Sequence, residues 1–213
     1  MIKIKKFIFN PIQENTYVLY DETKQCIIVD AGCSDEKEQK ELTGFIESRQ
    51  LNPVKLVNTH CHFDHIWGIN YCRKTYAIPF YAHAADLFLI ENAAESGSHF
   101  GVEVDPVEAP EHFLNEGDLV EFGNSRLELF HVPGHAPGSL VLYQPEQQFL
   151  MVGDVLFRGS IGRTDLPGGS YQQLVDNIHQ KLMNLPDDVV IYSGHGPETT
   201  IGYEKKNNPF LIK

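Results

Sequence analysis

Apolar positions fall into three patterns along the chain. In the first they alternate. Ile2, Ile4, Lys6 and Ile8 take one side and Lys3, Lys5 and Phe7 the other, which predicts an opening strand to about Phe9, ended by Asn10-Pro11. In the second the apolar run is continuous. Cys26-Ile27-Ile28-Val29 and Val54 to Val57 read as strands buried on both faces. Tyr17–Tyr20, Pro79–Ala82 and Val189–Tyr192 are further strands, and two hairpins are expected: Asp118–Phe122 with Arg126–Val132 around Gly123-Asn124, and Leu140–Tyr143 with Gln148–Val152 around Pro145. In the third the spacing is three and four. A helix capped by Ser34 turns Leu42, Phe45 and Ile46 inward and runs to about Arg49, and another carries Ile69, Cys72 and Tyr76 on one face. Ala84–Glu91, a Ser170-capped helix with Leu174, Val175, Ile178 and Leu182 inward, and a short helix from about Thr200 complete the set. Residues 92–112 carry no period and hold two Gly and two Pro, which predicts a long loop over a site. The two halves follow the same order, so the expected α/β fold is an αββα four-layer sandwich, two mixed sheets flanked by helices, in one domain spanning 1–213.

The chemistry clusters at strand ends. Thr59-His60-Cys61-His62-Phe63-Asp64-His65 directly follows the Val54–Val57 run, and four of its seven residues are good metal ligands. His135 in Pro133-Gly134-His135, Asp154 in Gly153-Asp154 and His195 in Gly194-His195-Gly196 each follow a strand-like run beside glycine. In extended chain alternate side chains point the same way. His60 and His62 can then share one metal, completed by His135, with Cys61 turned away. A bend near His65 lets Asp64 and His65 serve a second metal with His195, and Asp154, with two oxygens, is left to bridge. Three protein ligands with an open position mark catalytic rather than structural zinc. A pair of such ions about 3.5–4 Å apart shares a water and lowers its pKa from 15.7 toward about 7. His83, His99, His112, His131 and His179 read as core or surface residues outside this set.

Composition narrows the partners. The 213 residues carry a net charge of −12, against the basic field a nucleic-acid surface needs. The four cysteines are scattered, in a chain long enough to bury a core without disulfides, so reduced thiols and a cytoplasmic location are expected. No apolar run approaches a membrane span and the N-terminus lacks a signal-peptide h-region. Oligomeric state has no signature here.

The run His60-Cys61-His62-Phe63-Asp64-His65 resembles the H-x-H-x-D-H motif of the metallo-β-lactamase superfamily, and Pro133-Gly134-His135, Gly153-Asp154 and Gly194-His195-Gly196 resemble its later motifs in the same order. Gly159 to Gly169 and the ending Asn208-Pro209-Phe210 are similar to the short, type II branch of glyoxalase II. The resemblance implies the same seven ligands: His60, His62 and His135 for one ion, Asp64, His65 and His195 for the other, Asp154 bridging. It also implies hydrolysis of a glutathione-linked thioester by a metal-bridging hydroxide, with Asp64 and Asp154 at the reacting centre and Zn, Fe or Mn as the metal. Substrate contacts are expected from Arg163, Phe157, Tyr17 and Lys205; Arg163 could instead brace its loop against Asp165, and Lys205 with Lys206 could be a solvated helix face. An iron-dependent persulfide dioxygenase using His60, His135 and Asp154 is the alternative, with a ribonuclease or lactonase of the same superfamily behind it.

Overall fold

A computed structural model describes residues 1–212. One sheet contains β1 (Lys3–Phe9), β2 (Glu14–Tyr20), β3 (Gln25–Val29), β4 (Asn52–Val57), β5 (Phe80–Ala82) and β6 (His112–Phe113), in that order. Its first three strands pair antiparallel and the rest parallel. The second sheet contains β7 (Leu119–Phe122), β8 (Ser125–His131), β9 (Leu140–Gln144), β10 (Phe149–Gly153), β13 (Val190–Ser193) and β14 (Thr199–Thr200). There only β10 and β13 run parallel. A small hairpin, β11 (Leu156–Phe157) with β12 (Ser160–Ile161), stands apart.

The period of two sorts these strands into three apolar layers. Ile27 and Val29 of β3 and Val57 of β4 face the second sheet, where Leu140, Leu142, Phe149 and Met151 meet them. Their neighbours Ile28 and Leu56 point the other way, onto Leu42 and Ile46 of α1 (Glu36–Ser48) and Ile69 and Cys72 of α3 (Ile69–Tyr76). On the far side Val141 and Leu150 pack with Leu174 of α6 (Tyr171–Asn177), with Ile178 and Leu182 in a wider turn that continues it, and with Ile201 of α7 (Ile201–Asn207). Side chains that alternate across two sheets need cover on both outer faces. The result is the expected αββα order.

Two local expectations need correction. The first helix is capped by Asp35, not Ser34. The Asp35 carboxylate accepts the Glu38 N–H at 2.8 Å, while Ser34 bonds the Glu38 side chain. Residues 92–112 are not all loop. After α4 (Leu87–Glu91) the chain forms α5 (Ala93–His99). Its sequence hides the helix because Gly97 sits mid-helix, and Gly97 is there because a Cβ would lie 2.7 Å from Val104 Cγ2. Val104 thereby folds the irregular stretch behind α5 into the core. No helix among the described residues is long and apolar enough to cross a membrane.

Candidate metal centre

The carboxyl ends of β3, β4, β10 and β13 open on one edge, where parallel strands leave a crevice. All seven residues expected there from the sequence meet at this edge. The short helix α2 (Phe63–Ile66) supplies the bend that parts Asp64 and His65 from His60 and His62. His60, His62 and His135 form one group of converging ligand atoms, and Asp64, His65 and His195 a second. His135 Nε2 lies 2.9 Å from His62 Nδ1 and 3.2 Å from His60 Nε2. In the second group His195 Nε2 is 3.2 Å from Asp64 Oδ2, and His65 Nε2 is 3.7 Å from the same oxygen. Asp154 faces both groups. Its Oδ1 is 3.5 Å from His65 Nε2, and its Oδ2 is 3.6 Å from the Nε2 atoms of both His135 and His195.

What lies behind the rings fixes which nitrogen faces inward. His135 Nδ1–H donates to the Arg163 carbonyl at 2.8 Å, His195 Nδ1–H to the Gln13 carbonyl at 3.2 Å, and His60 Nδ1–H to Thr59 Oγ1 at 3.2 Å. His65 Nδ1 lies 3.2 Å from Asp30 Oδ2, a charge contact short of a well-aligned hydrogen bond. With Nδ1 committed in His60, His135 and His195 and facing Asp30 in His65, each Nε2 points into the cleft. His62 is turned the other way, Nδ1 inward, and its buried Nε2 has no partner. His65 Nε2 and Asp154 Oδ1 are also buried without one. Imidazole lone pairs at 2.9 and 3.2 Å from one another repel unless a cation or proton sits between them. The donor set and its unmet polar atoms fit two divalent cations.

The charge states divide the two groups. Burial, reinforced by the neighbouring imidazoles, pushes His60 well below its ordinary range and His62 down to about 3. Burial would lower His65 and His195 too, but Asp64 and Asp154 outweigh it and raise both. Burial would raise the two carboxyls; the facing histidines, His65 foremost, outweigh that and hold both below the usual range.

Asp30 and Asp86 were not singled out in the sequence. Asp30 accepts the Thr59 N–H at 2.7 Å and the Thr59 hydroxyl at 2.6 Å, with φ 52° in the left-handed region. Its oxygens are thus occupied. Although it lies close to His60 and His65, it supports their rings and does not add a third cation group. The available signal was an acid directly after an all-apolar strand, at the same edge as the His cluster. Asp86 accepts the Cys61 N–H at 3.0 Å and the Gly138 N–H at 2.6 Å, tying the His60–His62 loop to the loop after His135. Burial pushes its carboxyl up to about 6. No local pattern marks it.

The residues expected to touch substrate are scattered. Phe157 lines the cleft, its ring centre 6.3 Å from that of His195. Arg163 also lines it, but its guanidinium is bidentate with Asp165 at 2.7 and 2.8 Å, and its closest tie to the histidines is its backbone carbonyl. Tyr17 does not line the cleft. It belongs to the core between the sheets, 3% exposed, because its hydroxyl donates to the Ser193 carbonyl at 2.7 Å. Lys205 is drawn to Asp187 at 2.7 Å and the Leu185 carbonyl at 3.0 Å, away from the cleft lining. Cys61 points into the core as alternation requires.

Gly194 explains one of the flanking glycines. A Cβ there would overlap Asp154 Oδ1 and sit 2.7 Å from His65 Cε1. Gly194→Ala is expected to push Asp154 off its shared position. Metal analysis of the purified variant should show at least one equivalent fewer than wild type; an unchanged content would mean the loop shifts freely.

Comparison with known proteins agrees with this geometry. The metallo-beta-lactamase superfamily profile matches residues 9–195. The chain is 36% identical over 201 residues to the hydroxyacylglutathione hydrolase GloC of Haemophilus influenzae, covering 93% of each. Its fold superposes on BLEG-1 B3 metallo-beta-lactamase with a TM-score of 0.91 at 38% identity, covering 99% of this chain and 100% of that one. It superposes on TTHA1623, solved in a di-iron-bound form, with a TM-score of 0.88 at 34% identity, covering 97% and 100%. Seven side chains able to ligate metal converge at the strand ends of two packed sheets, and these similarities along nearly the whole length place the chain in the metallo-β-lactamase superfamily of hydrolases.

Proposed function

We propose that this chain is a binuclear metal hydrolase that cleaves thioesters of the hydroxyacylglutathione type. The carrying observation is the shared orientation of four imidazoles, three of them held by an Nδ1 hydrogen bond. His60, His65, His135 and His195 have Nδ1 turned to an acceptor, so their Nε2 lone pairs converge on two points beside one shared carboxylate. Zinc, iron or manganese would suit these N and O donors. Two such ions would polarise a substrate carbonyl and bring the pKa of a shared water toward about 7.

The protein's own groups point to the leaving group. Asp64 and Asp154 are both held ionised, so neither stands ready as a general acid. A thiolate departs without first being protonated, whereas an amine or alkoxide needs a proton. The similarity to GloC supports the same substrate class. The di-iron form of TTHA1623 supports iron as one metal for such a pair, and a one-iron dioxygenase is the alternative reading. Against it, the second group is complete and would be surplus to a one-iron site.

Metal quantitation alongside a substrate panel tests this. The panel holds S-lactoylglutathione, a lactone, a β-lactam and, with oxygen uptake recorded, glutathione persulfide. Two metals per chain with thioester turnover are expected. One iron per chain with oxygen consumption and no thioester cleavage would sink the proposal.

A further inference from the structure

Beside the metal cleft lies a second cavity of about 360 Å³, within the range of small-ligand pockets. Its walls are largely apolar, with Asn92, Glu95, Ser96 and His99 as polar members beside His62. Phe63 comes from α2, Phe88 and Leu89 from α4, Phe100 from the end of α5, and Leu166 and Pro167 from the loop after Arg163. His62, Phe63, Phe100 and Leu166 line both this cavity and the cleft, so the two adjoin at His62 of the first ligand group. Phe100 is 49% exposed, and its ring centre lies 5.3 Å from that of Phe63 at the junction.

We infer that this cavity is the acyl subsite of the hydrolase, taking an uncharged apolar acyl group whose carbonyl sits at the metal cleft. The inference rests on the thioesterase reading above and extends its acyl range from the short hydroxyacyl group to longer apolar chains. The acyl side chain is the part that suits these walls, because the thiol halves of water-soluble thioesters are polar and often charged. Glu95 in the lining disfavours a carboxylate at the far end of the chain. Arg163, which lines the cleft and could hold a charged thiol half, is already paired with Asp165. Selectivity by the apolar cavity therefore outweighs selectivity by charge.

A series of straight-chain acyl thioesters of N-acetylcysteamine, from acetyl to octanoyl, tests the assignment on the metal-loaded protein. A parallel series of thioacetates lengthens only the thiol side. Burial of each methylene is expected to raise kcat/KM roughly fourfold until the cavity is full. The gain should follow the acyl chain and not the thiol chain. Phe100→Ala and a cavity-filling Ser96→Trp should each flatten the hexanoyl-to-acetyl ratio. Trp67, the only tryptophan, has its ring centre 6.0 Å from that of Phe63 and gives a readout independent of turnover. Its emission should change with octanoate and not with acetate, less so in Ser96→Trp after subtraction of the added indole. A flat acyl series with robust acetyl turnover overturns the subsite and leaves the thioesterase intact. A gain that tracks the thiol chain also overturns it. No cleavage of any member, S-lactoylglutathione included, overturns the thioesterase reading and the subsite with it.

Discussion

Asp154→Asn is expected to remove thioester turnover while the fold stands. The carboxylate is the one group that faces both ligand sets, Oδ1 toward His65 and Oδ2 toward His135 and His195. An amide of the same size keeps the packing but changes two things. It carries no charge to offset two cations, and its NH2 is a donor, so one of its two ends cannot ligate. One metal equivalent should be lost. The remaining ion would lack its neighbour's help in polarising the carbonyl and activating water. Losing several kcal/mol of such stabilisation corresponds to a fall in kcat/KM on the order of a thousandfold. Circular dichroism should stay native, because Asp154 lies in the cleft, outside the three apolar layers. His83→Gln is the matched control. His83 stacks on His131, ring centres 4.2 Å apart, and joins neither ligand group, so metal content and turnover should hold. Wild-type turnover by Asp154→Asn carrying two metals would show that the bridging carboxylate is dispensable.

The distance between what was legible and what was not follows from where the information sits. His60, His62, Asp64 and His65 could be read because four ligand residues crowd into six positions after an apolar run. His135, Asp154 and His195 could be read because each ends a strand beside glycine, and strand ends of packed sheets share an edge. The layers followed from Ile27, Ile28 and Val29, whose alternate facing is forced by the pleat. The support behind the rings was not legible. Two of its acceptors are the backbone carbonyls of Gln13 and Arg163, and a carbonyl leaves no trace in residue type. Arg163 therefore drew attention for a side chain that only grips Asp165, while its main chain orients His135. Tyr17 and Lys205 failed for a related reason. Each has a polar tip whose partner, the Ser193 carbonyl or Asp187, is far away in sequence. Helix α5 was missed because Gly97 answers to Val104, a tertiary contact, and not to helix propensity.

Acidification should empty the two ligand sets one at a time, the Asp64–His65–His195 set first. Without metal, His65 and His195 have pKa values raised above the usual 6.5, because Asp64 and Asp154 face them. A cation entering there must displace protons. Below those raised values its apparent affinity falls roughly tenfold per displaced proton per pH unit, so about a hundredfold per unit for two. In the other set burial keeps His60 and His62 neutral, His62 down to about 3, so they present lone pairs with no proton to displace. From pH 8 to 6 the metal content should drop from two per chain toward one. Single-site variants identify which remains: the ion left in His195→Ala should persist to lower pH than the ion left in His60→Ala. The same groups set the stability of the metal-free protein. His65 and His195, raised in the fold, contribute stability that is present below 6.5 and is lost as pH rises through their folded values. His60 and His62, lowered in the fold, act oppositely, because below 6.5 the unfolded chain takes up protons that the folded one refuses. The metal-free Tm should therefore peak near neutrality and fall on both sides. With zinc bound, the alkaline fall should disappear, because the cations replace the protons that His65 and His195 would otherwise shed. Parallel Tm–pH curves with and without zinc, or loss of both metals in a single step, would mean that the two sets do not differ in proton occupancy.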